Sequence, residues 1–120
     1  MPVDATVTNV FAAIPVMERD EALPYYERLT GRRPDLIPND QEACWRVTET
    51  AWIYILTDAA VAGSARVTLL VDDLQGLLGE LAGRGIESGP PQTVTEGTRA
   101  VLLRDPDGNQ IQFGEVAAPG

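Results

Sequence analysis

The chain has no histidine and no lysine: all nine of its basic residues are arginine. Without an imidazole, a Ser-His-Asp or Cys-His nucleophile pair cannot be built. Without lysine, Schiff-base chemistry and the phosphate-cradling P-loop are excluded. One cysteine, Cys44, leaves no partner for an internal disulfide, which agrees with a cytoplasmic location. Zinc and non-haem iron sites rest on imidazoles or on several thiolates, and neither is on offer. An oxygen-only site for magnesium or calcium stays open in principle. Acid–base work would fall to Asp, Glu, Tyr or Cys44. No run reaches the roughly 18 apolar residues of a membrane span, and the chain does not open on the basic, apolar, small-residue order of a secretory signal.

What is present describes one domain spanning residues 1–120, with 44% apolar and 22% charged residues, the composition of an ordinary globular core. The net charge is −9, a field that disfavours nucleic acid and anionic membrane surfaces as partners and draws cations from a distance. The alternative is that acidity serves solubility alone.

Along the chain, "VTNVFAAIPV" reads as a buried strand. "ERDEALPYYERLTG" reads as a helix, with Asp20 as N-cap, Pro24 early, Leu23, Tyr26 and Leu29 facing inward and Gly31 closing it. "ACWRVTE" and "AWIYILTD" read as a hairpin pair, and "AAVAGSA" as a small-residue linker. The order then repeats. "ARVTLLV" is a strand, "DDLQGLLGELAGRG" a helix capped by Asp72 or Asp73 with Leu74, Leu77, Leu78 and Leu81 as its apolar face, and "GPPQTVTEGT" a loop with a short strand. "RAVLLRD" and "NQIQFGE" are strands joined by "DPDG", where Pro106 and Gly108 suit a tight turn. Phe11 and Arg66 open the two halves, and Gly31 and Gly85 end the two helices at nearly the same offset. This is the pattern of two copies of one unit. The expected fold is α+β: two βαβββ modules, at residues 6–60 and 64–116, with curled mixed sheets forming a cup and helices on the outer face.

These residues resemble the vicinal oxygen chelate superfamily, which includes glyoxalase I, extradiol dioxygenases, and fosfomycin and bleomycin resistance proteins. The resemblance is carried by "IPVMERDEALPYYERLTG", "VTLLVDDLQGLLGELAGRGI" and "LRDPDGNQIQF", and covers roughly residues 6–115. It implies four inward-facing strand positions that hold a metal in the enzymatic members. Carried over by local motif, they fall on Phe11, Tyr54, Arg66 and Gln112. None is His, Asp or Glu. A neutral amide is a weak ligand, and a fixed cation beside it repels a metal ion. The resemblance therefore implies no metal, no cofactor and no metal-dependent chemistry. It points to the bleomycin resistance type: a small acidic homodimer that sequesters a small molecule or drug. The alternative it leaves is a metal-independent isomerase, lyase or cyclase acting on a carbonyl or enolisable aromatic compound, and a third is a degenerate partner-binding module.

The candidate ligand-binding residues are Phe11, Trp45, Trp52, Tyr54, Arg66 and Gln112; no catalytic residue is identified. Trp52 and Tyr54 share a strand face and could stack on a planar ligand, or serve as core aromatics. Arg66 could anchor a carboxylate or phosphate with its planar fork, or pair with a nearby acid. Cys44 has no cation in sequence to lower its pKa and reads as an inert buried thiol. Glu115, three residues after Gln112, belongs to the opposite strand face.

Overall fold

The computed structural model describes residues 5–117. Its elements run β1 (Val10–Val16), α1 (Arg19–Thr30), β2 (Glu42–Arg46), β3 (Ala51–Thr57), β4 (Arg66–Leu70), α2 (Leu74–Gly83), β5 (Gln92–Thr95), β6 (Thr98–Arg104) and β7 (Gln110–Val116). They form two mixed sheets, β1-β3-β2 and β4-β7-β6-β5, neither closed into a barrel. In each, the opening strand lies parallel to the last strand of its half, and that last strand pairs antiparallel with the one before it.

The two halves thus repeat one plan, and the second is a full βαβββ unit. In the first, the strand after the helix has shrunk to a single bridge from Leu36 to Cys44. That bridge lies beside β2 as β5 lies beside β6. Pro34 and Pro38 flank it, and proline cannot donate to a ladder, so a longer strand has no way to form there.

Alternation gives each sheet two faces. Ile14, Val16, Trp45, Ile53 and Ile55 of the first sheet, with Val101, Leu103, Ile111 and Phe113 of the second, point toward the helices. There they form one buried cluster with Tyr26, Leu29, Leu74 and Leu81. Fully burying one such side chain is worth about 1.5–3 kcal/mol, so this shared cluster is the main stabilising term. The opposite, helix-free face of each sheet is open.

Helix α1 departs from expectation at its start. It begins at Arg19, one residue before Asp20, after Glu18, which makes no side-chain cap. The first orphan N–H, that of Arg19, goes instead to the Thr57 hydroxyl at 2.9 Å. Pro24 lies inside the helix rather than in its first turn. Tertiary contact with β3 has replaced local capping. Helix α2 is capped twice: Asp73 accepts from the Gly76 N–H at 3.0 Å, and Glu115 accepts from the Leu74 N–H at 2.8 Å. Glu115 is therefore on the helix side of β7, where the alternation puts it.

The DPDGN turn joins the halves. Asp105 and Asn109 are the buried polar side chains of the described residues. The Asp105 carboxylate accepts from the Tyr26 hydroxyl (2.7 Å), the Asn109 amide (2.9 Å), and the backbone N–H groups of Asp107 and Asn109. Asn109 also donates to the Pro15 carbonyl at 2.7 Å and accepts from the Ala65 N–H at 2.9 Å. One amide thereby ties β1, the connection into β4 and the turn together. The connection itself is shaped to fit. Gly63 has φ 85°, and a Cβ there would lie 2.2 Å from the Asp107 carbonyl oxygen.

Candidate functional site

Register places five of the six candidates on open faces. Phe11 lies opposite Trp52, which lies opposite Arg46, in one row across β1, β3 and β2. The Phe11 and Trp52 rings stack with centroids 5.2 Å apart and 10° between planes. Tyr54 meets Phe11 edge-on at 6.1 Å, and the Arg46 guanidinium sits 6.0 Å from the Trp52 ring. Trp52 is thus flanked on both sides. Phe11 is the most exposed ring of the three, at 47%, while Trp52 and Tyr54 are half-buried.

On the second sheet, Arg66 lies opposite Gln110, and Thr68 opposite Gln112. The Arg66 guanidinium reaches diagonally to donate to Gln112 Oε1 at 3.2 Å. Among the described residues Arg66 has no carboxylate partner, since the ion pairs there are Arg19–Asp20 and Arg32–Asp35. Its charge is held in place and not neutralised. The same face carries exposed apolar side chains further along the strands: Leu70 is 65%, Leu102 41% and Val116 56% exposed.

Trp45 stands apart. It is fully buried on the helix side of β2, packs against Tyr26 with ring centroids 6.1 Å apart, and donates its indole N–H to the Arg32 carbonyl at 3.1 Å. Strand alternation from Tyr54 decides this: Cys44 pairs with Tyr54, so Trp45, one residue on, faces the other way. The facing of Trp45 depends on the register of β2 against β3, which pairs it with the buried Ile53.

The phenols of Tyr25 and Tyr26 are pushed up by burial and then by the Asp105 carboxylate, so both stay protonated and serve as hydrogen-bond donors. The Cys44 thiol is pushed up by burial and then by Glu42, which keeps it from acting as a thiolate.

Phe11, Tyr54, Arg66 and Gln112, the positions the resemblance points to as metal ligands, carry chemistry that does not fit a metal. Two are aromatic, one is a cation, and the fourth is an amide whose oxygen accepts from that cation. No group of three or more His, Cys, Asp or Glu among the described residues could hold an ion. No helix of the described residues is long and apolar enough to cross a membrane.

No family model matches the chain, and no curated protein matches it. Solved structures do. A glyoxalase/bleomycin resistance protein from Catenulispora acidiphila is 39% identical, with 90% of this chain and 97% of that one covered and a TM-score of 0.84. A bleomycin-binding protein from the bleomycin producer Streptomyces verticillus, solved with copper(II)-bleomycin, shares the fold at 17% identity, covering 96% and 99% of the two chains at a TM-score of 0.74. An antibiotic-binding protein from a Streptomyces species does so at 19% identity, covering 98% and 100% at a TM-score of 0.72. The chain belongs to the vicinal oxygen chelate superfamily, and within it to the glyoxalase/bleomycin resistance proteins.

Proposed function

We propose that the protein binds a small planar aromatic molecule with an acidic or enolisable oxygen, without a metal, and sequesters it rather than converting it. The observation that carries this reading is the Arg66 guanidinium, bonded to Gln112 on an open face and without a carboxylate partner among the described residues. A hydrogen bond from such a cation to an anionic oxygen is worth about 0.2–1 kcal/mol while both are exposed and about 1.5–3 kcal/mol once the bound ligand shields it from water. The Phe11–Trp52 stack supplies the aromatic platform, with Tyr54 at its edge. Fold-level relatives that bind bleomycin or another antibiotic support a holding role, though one fold hosts many functions.

The protein works in this reading as a cytoplasmic homodimer. A 120-residue domain has an expected radius of gyration of about 13–14 Å, and this one measures 15.4 Å with extents of 45 × 42 × 25 Å. The chain is less compact than a closed domain of its length, with two sheets not closed into a barrel and each open on its helix-free face. Pairing a first-module face of one copy with a second-module face of another would cover Leu70, Leu102 and Val116 and bring an aromatic row opposite an Arg66. Sedimentation at micromolar concentration tests the dimer, and a monomeric mass contradicts it. Native mass spectrometry against aromatic acids and antibiotics, with elemental analysis of untagged protein, tests the rest. Near-stoichiometric zinc, nickel, iron or manganese that survives dialysis overturns the metal-free reading.

A further inference from the structure

A cavity of about 540 Å³ opens between the two halves, and none of the six candidates lines it. Its volume lies within the roughly 300–1,000 Å³ usual for small-molecule sites. The apolar walls come from Leu29 of α1, Val47 before β3, Ile53 of β3, Leu69 of β4, Leu77 of α2 and Phe113 of β7. Both modules contribute, from the helix-facing side of their sheets.

The polar groups are few and mostly spoken for. Arg32 gives its guanidinium to Asp35 at 2.9 Å and to the Arg46 carbonyl, so its charge is neutralised. The Thr30 hydroxyl donates to the Tyr26 carbonyl at 2.7 Å. Thr48 Oγ1 accepts from the Ala51 N–H at 3.0 Å and keeps its own proton to donate. The remaining donors belong to β4, an edge strand. Ala65 and Val71 bond their backbone groups to β7. Alternation then turns the backbone groups of Thr68 and Leu70, which both line the cavity, toward the edge that no strand of the described residues pairs.

We propose that this cavity is a second small-molecule site, separate from the open faces, for a neutral and mostly apolar molecule carrying a carbonyl or amide oxygen. The walls bury the apolar body. The Thr48 hydroxyl and the unpaired edge at Thr68 and Leu70 supply donors to the oxygen. A charged molecule would lose its hydration there and meet no free counter-charge. The assignment does not depend on the aromatic-acid reading of the open faces.

Nile red, a neutral dye with one ring carbonyl, is a suitable probe, titrated into the intact chain and read by its fluorescence. Ala51→Leu and Leu77→Phe fill the cavity from opposite walls, while Trp52→Ala and Arg66→Ala alter only the open faces. The expected result is saturable binding of one dye per chain, weakened tenfold or more by either filling variant and changed less than twofold by the open-face variants. Methyl NMR of the wild type gives a readout that needs no variant to fold: dye-induced shifts should centre on Val47, Leu69 and Leu77. Absence of saturable binding, binding indifferent to both filling variants, or shifts centred on Phe11 and Trp52 would each overturn the proposal.

Discussion

Replacing Asn109 by alanine should be among the most damaging single changes in the molecule. Its side chain is fully buried and makes three hydrogen bonds, to the Pro15 carbonyl, the Asp105 carboxylate and the Ala65 N–H. A hydrogen bond to a charged group is worth about 1.5–3 kcal/mol, a neutral one about 1, and a buried donor left without a partner costs about 1–3. The Pro15 carbonyl keeps a bond from the Gly63 N–H at 3.2 Å, and Asp105 keeps the Tyr26 hydroxyl. The half-buried Ala65 N–H keeps no other partner among the described residues. The sum is about 4 kcal/mol. For 120 residues the unfolding entropy is about 0.25 kcal/mol/K, so Tm should fall by about 16 °C. Asp107→Ala, two residues away, removes only an exposed 3.2 Å contact to the Met17 N–H and should cost less than about 1 kcal/mol. Urea and thermal unfolding followed by circular dichroism measure both. A loss below about 1 kcal/mol for Asn109→Ala would refute the view that this amide ties the halves together.

Gly63→Ala should cost about 2 kcal/mol or more, since a left-handed alanine is strained by about 1–2 kcal/mol before its Cβ meets the Asp107 carbonyl. Gly89→Ala, where a Cβ meets nothing within 4 Å, is the control and should be near neutral in the same melts. Cys44, its thiol pushed up, should react with iodoacetamide at pH 7.5 far more slowly than free cysteine and label promptly only on unfolding; prompt native labelling would contradict the assignment. Asp35 is held below its usual carboxyl range by the Arg32 guanidinium and then by the Arg46 N–H. A depressed folded-state pKa stabilises above the unfolded value and is lost as pH falls through the folded one. The stability advantage of wild type over Asp35→Asn should therefore be present at neutral pH and close below pH 3.8, and an advantage that persists at pH 2 would argue against the pairing.

Much of the architecture is legible in the residues because local signals and the repeat agree. Strand runs, an Asp72 or Asp73 cap, glycines ending both helices and the proline–glycine turn all point one way, and the structure has α+β sheets in that order with Asp73 as the cap. Two features escape a local reading for physical reasons. The α1 start follows Thr57, 38 residues away in sequence, and no local pattern encodes a tertiary acceptor. Leu36 sits between Pro34 and Pro38, so the strand that follows α1 in the first module is reduced to one bridge. At the candidate site, the identities of Phe11, Tyr54, Arg66 and Gln112 were readable, but the Arg66–Gln112 bond and the Arg46 flank of Trp52 depend on cross-strand register. Asp105 and Asn109 look in sequence like turn residues alone. Their burial depends on Pro15, Tyr26 and Ala65, which come from the other half or from the chain linking the two.

The most direct test of the central claim, that Arg66 anchors an acidic aromatic ligand on a metal-free open face, is isothermal titration of wild type and Arg66→Ala with a planar aromatic acid such as 2-naphthoate, alongside bleomycin. The prediction is that the acid binds and weakens about tenfold or more in the variant, a loss of about 1.4 kcal/mol, while the cationic drug binds weakly to both. Submicromolar bleomycin binding that Arg66→Ala leaves equally tight would contradict the account.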